Sequence, residues 1–425
     1  MKWICAQIGA REHYAIPRVI NSSGKLDSLY TDFWATAGWR MIGNLIGKRS
    51  LVTRYHDDLA DARVVGFNTQ ALIAVLGQKK SHNIYDEYVR YGEAFGKRIV
   101  HELEKNKNNI LRSSVVSPNP PNPFLFFGYD TGFLEPARWA KMHGGKTIVC
   151  QMDPSRFEVQ LVREEEARWP GWSKRLAEVP ETYFQRREEE WAVADLVMVN
   201  SEWSKQALIS QGVSGSKIIV VPLAFEVGKA EQPSKLSKSI MFTKDSRPIF
   251  TPQKPLRVLF LGQVILRKGI QYLIEAAKLL KDEPIYFDVV GPIGISEEAL
   301  KSVPSNMNLH GPVTRDRTKE FYQNADLFIL PTLSDGFALT QLEAMARGLP
   351  VIATSSCGQV VTHGVDGLIV PTRDPKALAD ACRLILQDPG KLRLMSAATK
   401  SKVEQFSLTK LRENLQALEV RLLAK

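Results

Sequence analysis

Beyond Pro255, short apolar runs alternate with helical patterns, and that alternation leaves few architectures open. The runs are Arg257–Val264, Tyr286–Gly291, Met307–Val313, Leu327–Leu333, Pro350–Thr354 and Gly367–Pro371. Helical patterns fall at Lys268–Lys281, Arg315–Asn324, Ala338–Arg347 and Pro375–Gln387. Strands that alternate with helices pair in parallel, because the crossover helix returns the chain to the same edge. The pattern predicts a parallel sheet with helices on both faces. The first half carries similar runs, less cleanly spaced, at Lys2–Ile8, Arg63–Phe67, Phe124–Tyr129, Lys146–Met152, Leu196–Asn200 and Ile218–Leu223.

Between the halves, "GKAEQPSKLSKSIMFTKDSRPIFTPQKP" is polar and holds four prolines, as a linker or a long excursion does. A chain of 425 residues has room for two domains. The expected class is α/β, with two Rossmann-like, doubly wound domains facing a cleft. Their limits are 1–225 and 256–402, with a linker at 226–255. Residues 403–425 include "SLTKLRENLQALEVRLLAK", an amphipathic helix with a serine at its start, expected to pack back toward the first domain. The cleft between two such domains is the expected ligand site.

Composition narrows the functional classes. Four cysteines lie scattered without paired spacing, which argues against a disulfide framework or a zinc site and suits a reducing cytoplasm. No apolar run approaches the roughly 18 residues needed to cross a bilayer. The start, "MKWICAQIGAREHY", reads as a buried strand and not as a signal peptide. The net charge of +10 favours anionic partners. No basic–aromatic platform points to nucleic acid.

The chemistry concentrates in "SDGFALTQLEAMARGLPVIAT", Ser334–Thr354. A strand ends in a loop with Gly336, and a run of helix formers follows that stops at Gly348. A glycine turn feeding a helix presents free backbone N–H groups and the positive helix end, which suits a phosphate or diphosphate. Glu343, inside the helix, is placed to accept from a ribose diol, and Asp335, ahead of it, to hold sugar hydroxyls. A second stretch, "VLFLGQVILRKGIQYLIEAAKLL", ends a strand at Gly262 and opens a helix with Arg267, Lys268 and Gly269, a second anion-binding element. A third, "FDVVGPIG", ends a strand at Gly291, where backbone comes close to a ligand.

Taken in order, these segments resemble the retaining nucleotide-sugar glycosyltransferases of family 4, which have the GT-B fold. "DGFALTQLEAMARGLPVIAT" is similar to that family's E-x7-E signature, "GQVILRKG" to its Gly-Arg…Lys-Gly loop, and "HGVDGLIVP" to the segment closing its nucleotide site. The resemblance covers Leu256 to Ile385 well and the first half in outline. It implies a donor, UDP- or GDP-linked, bound mainly by the second domain, and a sugar-containing acceptor bound by the first. Glu343 would hold the ribose, Asp335 the donor sugar, and Arg267 and Lys268 the departing diphosphate. Gly336, Phe337, Ala338 and Leu339 would cradle the donor through backbone amides, while Gly262, Gly291 and Val313 would line the site. No cofactor and no metal is implied: the chain has no Asp-x-Asp, and fixed cations suffice to stabilise a leaving diphosphate. The implied role is synthesis of a cell-envelope polysaccharide or glycolipid. The alternative is a non-catalytic sensor or assembly partner that binds the nucleotide sugar. Four positions depart from the family: Asp335 replaces Glu, Gln263 replaces Arg, Gln359 replaces Glu, and "IVCQMDPS" has Gln151 and Met152 where a His is usual.

In the first domain, Gly9, Arg11, His13 and Tyr14, with Glu12 among them, form a polar loop after the first strand and are acceptor-site candidates. Asp130 and Asp153 also follow strands and are expected to point toward the cleft. Gly38–Tyr55 mixes apolar residues with Arg40, Lys48, Arg49 and Arg54. It reads either as a helix lying on an anionic, inner membrane face or as a core-facing helix with a basic solvent side. Glu164–Glu166 and Glu188–Glu190 read as solvated surface, because consecutive residues point to different helix faces.

Overall fold

A computed structural model of the chain describes residues 1–45, 49–76, 83–113, 124–174, 178–226 and 250–423. Among these, thirteen strands form two sheets, all parallel. The first holds β1 (Trp3–Gln7), β2 (Leu26–Thr31), β3 (Val64–Gly66), β4 (Leu125–Tyr129), β5 (Lys146–Gln151), β6 (Leu196–Val199) and β7 (Ile218–Val220), in the order β3-β2-β1-β4-β5-β6-β7. The second holds β8 (Leu256–Leu261), β9 (Ile285–Val290), β10 (Met307–Gly311), β11 (Leu327–Leu330), β12 (Val351–Thr354) and β13 (Gly367–Val370), in the order β10-β9-β8-β11-β12-β13. Each order reverses beside its first strand, so the loops after β1 and β4, and after β8 and β11, border a crevice.

The period of two along each strand divides every sheet's packing between two cores. Trp3 and Cys5 face a core that includes Tyr14, Ile16 and Val19, while Ile4 and Ala6 face the opposite one with Phe95 and Ile99. In the second sheet Leu327 and Ile329 join one cluster, and Phe328 and Leu330 the other. Both faces are covered, which is why these strands are written as unbroken apolar runs.

Two elements escape the sequence pattern. β2, "LDSLYT", pairs with both β1 and β3. Asp27, Ser28 and Thr31 interrupt its apolar run, although Ser28 and Thr31 are buried. The helix Ile84–Ser113 buries a stripe that includes Phe95, Ile99, Leu103 and Ile110, and much of the rest of its surface is polar.

Most of the predicted linker, 227–249, lies outside the described residues, as do 46–48 of the basic segment 38–55. That segment otherwise contains the helices Ala37–Leu45 and Arg49–Val52. Leu51 is buried, Met41 is exposed, and the Arg40 guanidinium lies 4.3 Å from the Tyr55 ring centre. No helix among the described residues is long and apolar enough to cross a membrane.

The chain returns to the first domain at its end. Phe225 N–H donates to the Phe406 carbonyl at 2.8 Å, so the two crossings between domains lie side by side. The helix Leu408–Leu423 then sets Leu411, Leu415, Leu418 and Leu422 into the core that β1 lines with Trp3. Leu418 is fully buried. We expect Leu418→Ala to cost about 2–5 kcal/mol, read as a lower urea midpoint. A loss below 1 kcal/mol would show that this helix is not part of that core.

Candidate active site

Three loops of the second domain are fastened to one another through backbone. Gly269 has φ +76°, and a Cβ there would lie 1.9 Å from the Pro331 carbonyl oxygen, so no other residue fits. Leu333 N–H donates to the Arg267 carbonyl at 2.9 Å, and Asp335 N–H to that of Ser356 at 3.0 Å. These contacts put the turn Leu266–Lys268 directly beside Ser334 and Asp335. The Arg267 guanidinium donates to the Ser334 carbonyl at 3.0 Å, and Lys268 forms an ion pair with Asp335. The other Asp335 oxygen accepts from the Phe337 and Ala338 N–H groups at 3.3 and 3.1 Å. Burial works to raise the Asp335 carboxyl, but Lys268 and Arg267 outweigh it and hold the group below its ordinary value.

The helix after this loop runs Thr340–Met345, shorter than the Ala338–Arg347 read from the sequence. Ala338 takes φ +61°, which a helix cannot include, and the Gln341 side chain donates to the Phe337 carbonyl at 3.0 Å. Residues 336–339 therefore form a loop. Phe337 is buried against Phe406, ring centres 5.7 Å apart, and only its backbone faces Asp335. Glu343 lies in the first turn of the helix, half-buried, and one of its oxygens accepts from the Tyr322 hydroxyl at 2.9 Å. Gly291 has φ +144°, and a Cβ there would lie 1.8 Å from the Gly262 carbonyl oxygen. Gly291 N–H donates to Gly311 at 3.0 Å, so the loops after β8, β9 and β10 touch. Val313 packs at the edge of the cluster that holds Tyr322.

In the first domain, Gly9 has φ +77° and donates its N–H to Asp32 at 2.8 Å. The next residues are unusual: Glu12, His13 and Tyr14 all have left-handed φ, of 51°, 49° and 61°. Such strain in non-glycine residues gathers at functional sites. Arg11 lies over the Tyr129 ring at 5.4 Å, His13 is exposed, and the Tyr129 hydroxyl donates to Glu12 at 3.2 Å. Tyr14 does not join them, being buried edge-on against Trp34 at 5.3 Å, in the core.

Asp130 and Asp153 are both spent on Arg187, which pairs with Asp130 and lies 3.3 Å from Asp153. Gln151, in the segment where the resemblance implied a His, is fully buried. It donates to Asp130 at 2.9 Å and accepts from the Trp191 indole at 2.7 Å. The adjoining Met152 carbonyl meets the second domain: a Cβ on Gly336 would approach it to 2.3 Å.

The glutamate triplets are not all solvated. Glu165 is fully buried between the domains, accepting from Tyr272 at 2.7 Å and Gln271 at 3.0 Å and pairing with Arg373 at 2.5 Å. Glu190 is fully buried too and accepts from the Thr131 N–H at 3.0 Å. Three successive helical residues point across some 200° of the helix, so one of a triplet can meet a buried face. The sequence reading also passed over Glu158 and Trp203, which reach Ser334 from the first domain; nothing local marks either residue. A cavity of about 220 Å³ between the domains is lined by Phe157, Gln160, Trp203, Leu333, Ser356 and Arg373 among others, and by neither Lys268 nor Asp335.

Residues 255–388 match a family model described as glycosyl transferases group 1. A D-inositol 3-phosphate glycosyltransferase of Xylanimonas cellulosilytica is 30% identical over 54% of this chain and 58% of its own length. The amylovoran biosynthesis glycosyltransferase AmsK of Erwinia amylovora is 27% identical over 70% of each. The chain thus spans less than two thirds of the first relative and slightly more of the second. Among solved structures, HepE of Anabaena in complex with UDP superimposes with a TM-score of 0.62 at 14% identity, over 99% of this chain and 100% of that one. Two facing parallel α/β domains with this topology define a protein of the GT-B class. Its second domain matches the group 1 glycosyltransferase model and is similar to D-inositol 3-phosphate and amylovoran-biosynthesis glycosyltransferases.

Burial pushes the Glu12 carboxyl up to about 7, with Tyr129 and Arg11 opposing it. A raised carboxyl stabilises the fold at low pH, and that contribution is lost as pH climbs from the unfolded value toward 7. Glu12→Gln, which cannot ionise, is expected to gain on the order of 1–2 kcal/mol over the parent at pH 8 and nothing at pH 4. Urea titrations at both values check this, and a gain independent of pH would contradict it.

Proposed function

We propose that the protein transfers a sugar from a nucleotide-diphospho-sugar, UDP- or GDP-linked, to a sugar-containing or lipid-linked acceptor. The transfer retains anomeric configuration and needs no metal. One observation carries the reading: Lys268 and the Phe337 and Ala338 amides converge on the Asp335 carboxylate at the crevice of the second sheet, with Arg267 fixed beside them on the Ser334 carbonyl and Glu343 in the following helix. Groups that converge on one anion suit another.

Breaking a glycosyl–phosphate bond builds negative charge on the diphosphate. Lys268 and Arg267 are fixed where that charge would develop, and preorganised cations cost no rearrangement at the moment of reaction. Asp335 then serves the donor sugar's hydroxyls and Glu343 the ribose. Base and phosphate approach backbone at Gly262 and Gly291, and the acceptor enters from Gly9, Arg11 and His13. The reading draws support from HepE, crystallised with UDP and with UDP-glucose, and from AmsK, named for amylovoran biosynthesis. We place the reaction on the cytoplasmic side of a membrane, touched peripherally through residues 38–55.

The lack of a His in the segment that holds Gln151 and Met152, with Gln151 locked to Asp130 and Trp191, favours one second reading, a protein that binds the donor without transferring it. Product analysis separates the two. With the correct donor we expect turnover or slow hydrolysis unaffected by EDTA. Lys268→Ala should lower kcat by about 100-fold or more, and Glu343→Ala should raise the donor KM, both in folded protein. Binding without product supports the second reading, and rates unchanged in both variants would refute the site assignment.

A further inference from the structure

Glu158 belongs to the first domain, in the first turn of the helix Arg156–Arg168, yet its carboxylate reaches across the cleft. One oxygen accepts from the Ser334 hydroxyl at 2.7 Å and lies 3.4 Å from the Arg267 guanidinium. The Trp203 indole N–H is 3.4 Å from the same hydroxyl. Only about a fifth of either side chain is exposed, 17% for Glu158 and 23% for Arg267. The two adjacent cations are thus neutralised from different sources, Lys268 by Asp335 of its own domain and Arg267 by Glu158 of the other.

A diphosphate that engages both cations competes with Glu158 for Arg267. We propose that Glu158 is an internal competitor of the donor's diphosphate: it occupies Arg267 in the free protein, lowers donor affinity, and is released from the second domain when the donor binds. The proposal rests on the reading of this site as a diphosphate site. Burial raises the Glu158 carboxyl, Arg267 opposes that, and Asp153 and Asp335 add to it. The carboxylate is therefore crowded by like charge from both domains. Because Glu158 and Arg267 sit on different domains, the exchange couples donor binding to one interdomain contact, and such coupling is reciprocal. The remaining contacts of that helix, Glu165 with Gln271, Tyr272 and Arg373, are untouched by it.

Calorimetric titration of UDP, GDP and inorganic pyrophosphate into the full chain and its Glu158→Gln variant tests this. We expect the variant to bind the ligands that the parent binds roughly two- to fivefold tighter, the fold-change that an ion pair of this kind is worth. The donor KM should fall in the same proportion, with a smaller change in kcat. Arg267→Ala should erase the difference between the two backgrounds. Ser334→Ala, which loosens the carboxylate without removing it, should move affinity the same way by less. Equal or weaker binding by Glu158→Gln, with the parent binding a nucleotide normally, overturns the proposal and leaves the reading of the site intact. No binding by either protein overturns that reading and the proposal with it.

Discussion

The Pro331 carbonyl stands where any β-carbon on residue 269 would have to be. That single exclusion lets the loop after β8 lie against the loop after β11 without an intervening side chain, and everything chemical follows from it. Arg267 and Lys268 come from one loop, Ser334 and Asp335 from the other, and the backbone hydrogen bond from Leu333 to Arg267 fixes their register. The cations need no long reach and little side-chain entropy is lost in placing them. Gly291 and Gly262 repeat the device one strand further along. A parallel sheet delivers its loops to one edge, and glycine allows neighbouring loops to close on each other there.

The two domains are joined by buried charge as much as by apolar surface. Glu165, taken wholly out of water, is met by a phenol, an amide and a guanidinium from the second domain. A buried carboxylate is costly unless its oxygens are satisfied, so this contact selects one docking geometry over others that would leave it bare. Trp169 and Trp172 pack beside it, and Ser296 N–H donates to the Trp172 carbonyl at 2.7 Å. The helix that carries Glu165 also carries Glu158. A rigid attachment at one end and an ion pair at the crevice edge therefore share a single element.

How much of this was legible in the sequence follows from which signals are local. Twelve strands were visible as apolar runs because both faces of each sheet are covered; β2 was not, since Ser28 and Thr31 are buried polar residues that break its run. The spacing of Asp335 and Glu343, and the Arg267-Lys268-Gly269 turn, were legible because strand, loop and helix start follow one another within a few residues. That Asp335 takes up the amides of residues 337 and 338 was not, because it depends on the left-handed Ala338, and an alanine gives no sign of that. Tyr14, Glu165 and Glu190 were misplaced for a common reason: the direction of a side chain in a loop or acidic helix depends on what packs against it. Glu158 and Trp203 act across a domain boundary, and no periodicity within one domain encodes the position of the other.

The helix Leu408–Leu423 gives the chain a particular order of events during its synthesis. The core containing Trp3, Ile16 and Met198 is complete only when Leu411, Leu415, Leu418 and Leu422 arrive. At ribosomal rates that delay, after the first domain's last strand has emerged, is roughly ten to forty seconds. Through that interval an apolar face lies open while a second domain is being threaded past it. Of these two domains the earlier is completed only after the later has been made, and the nascent chain must keep that face from finding other partners until the helix Leu408–Leu423 closes it.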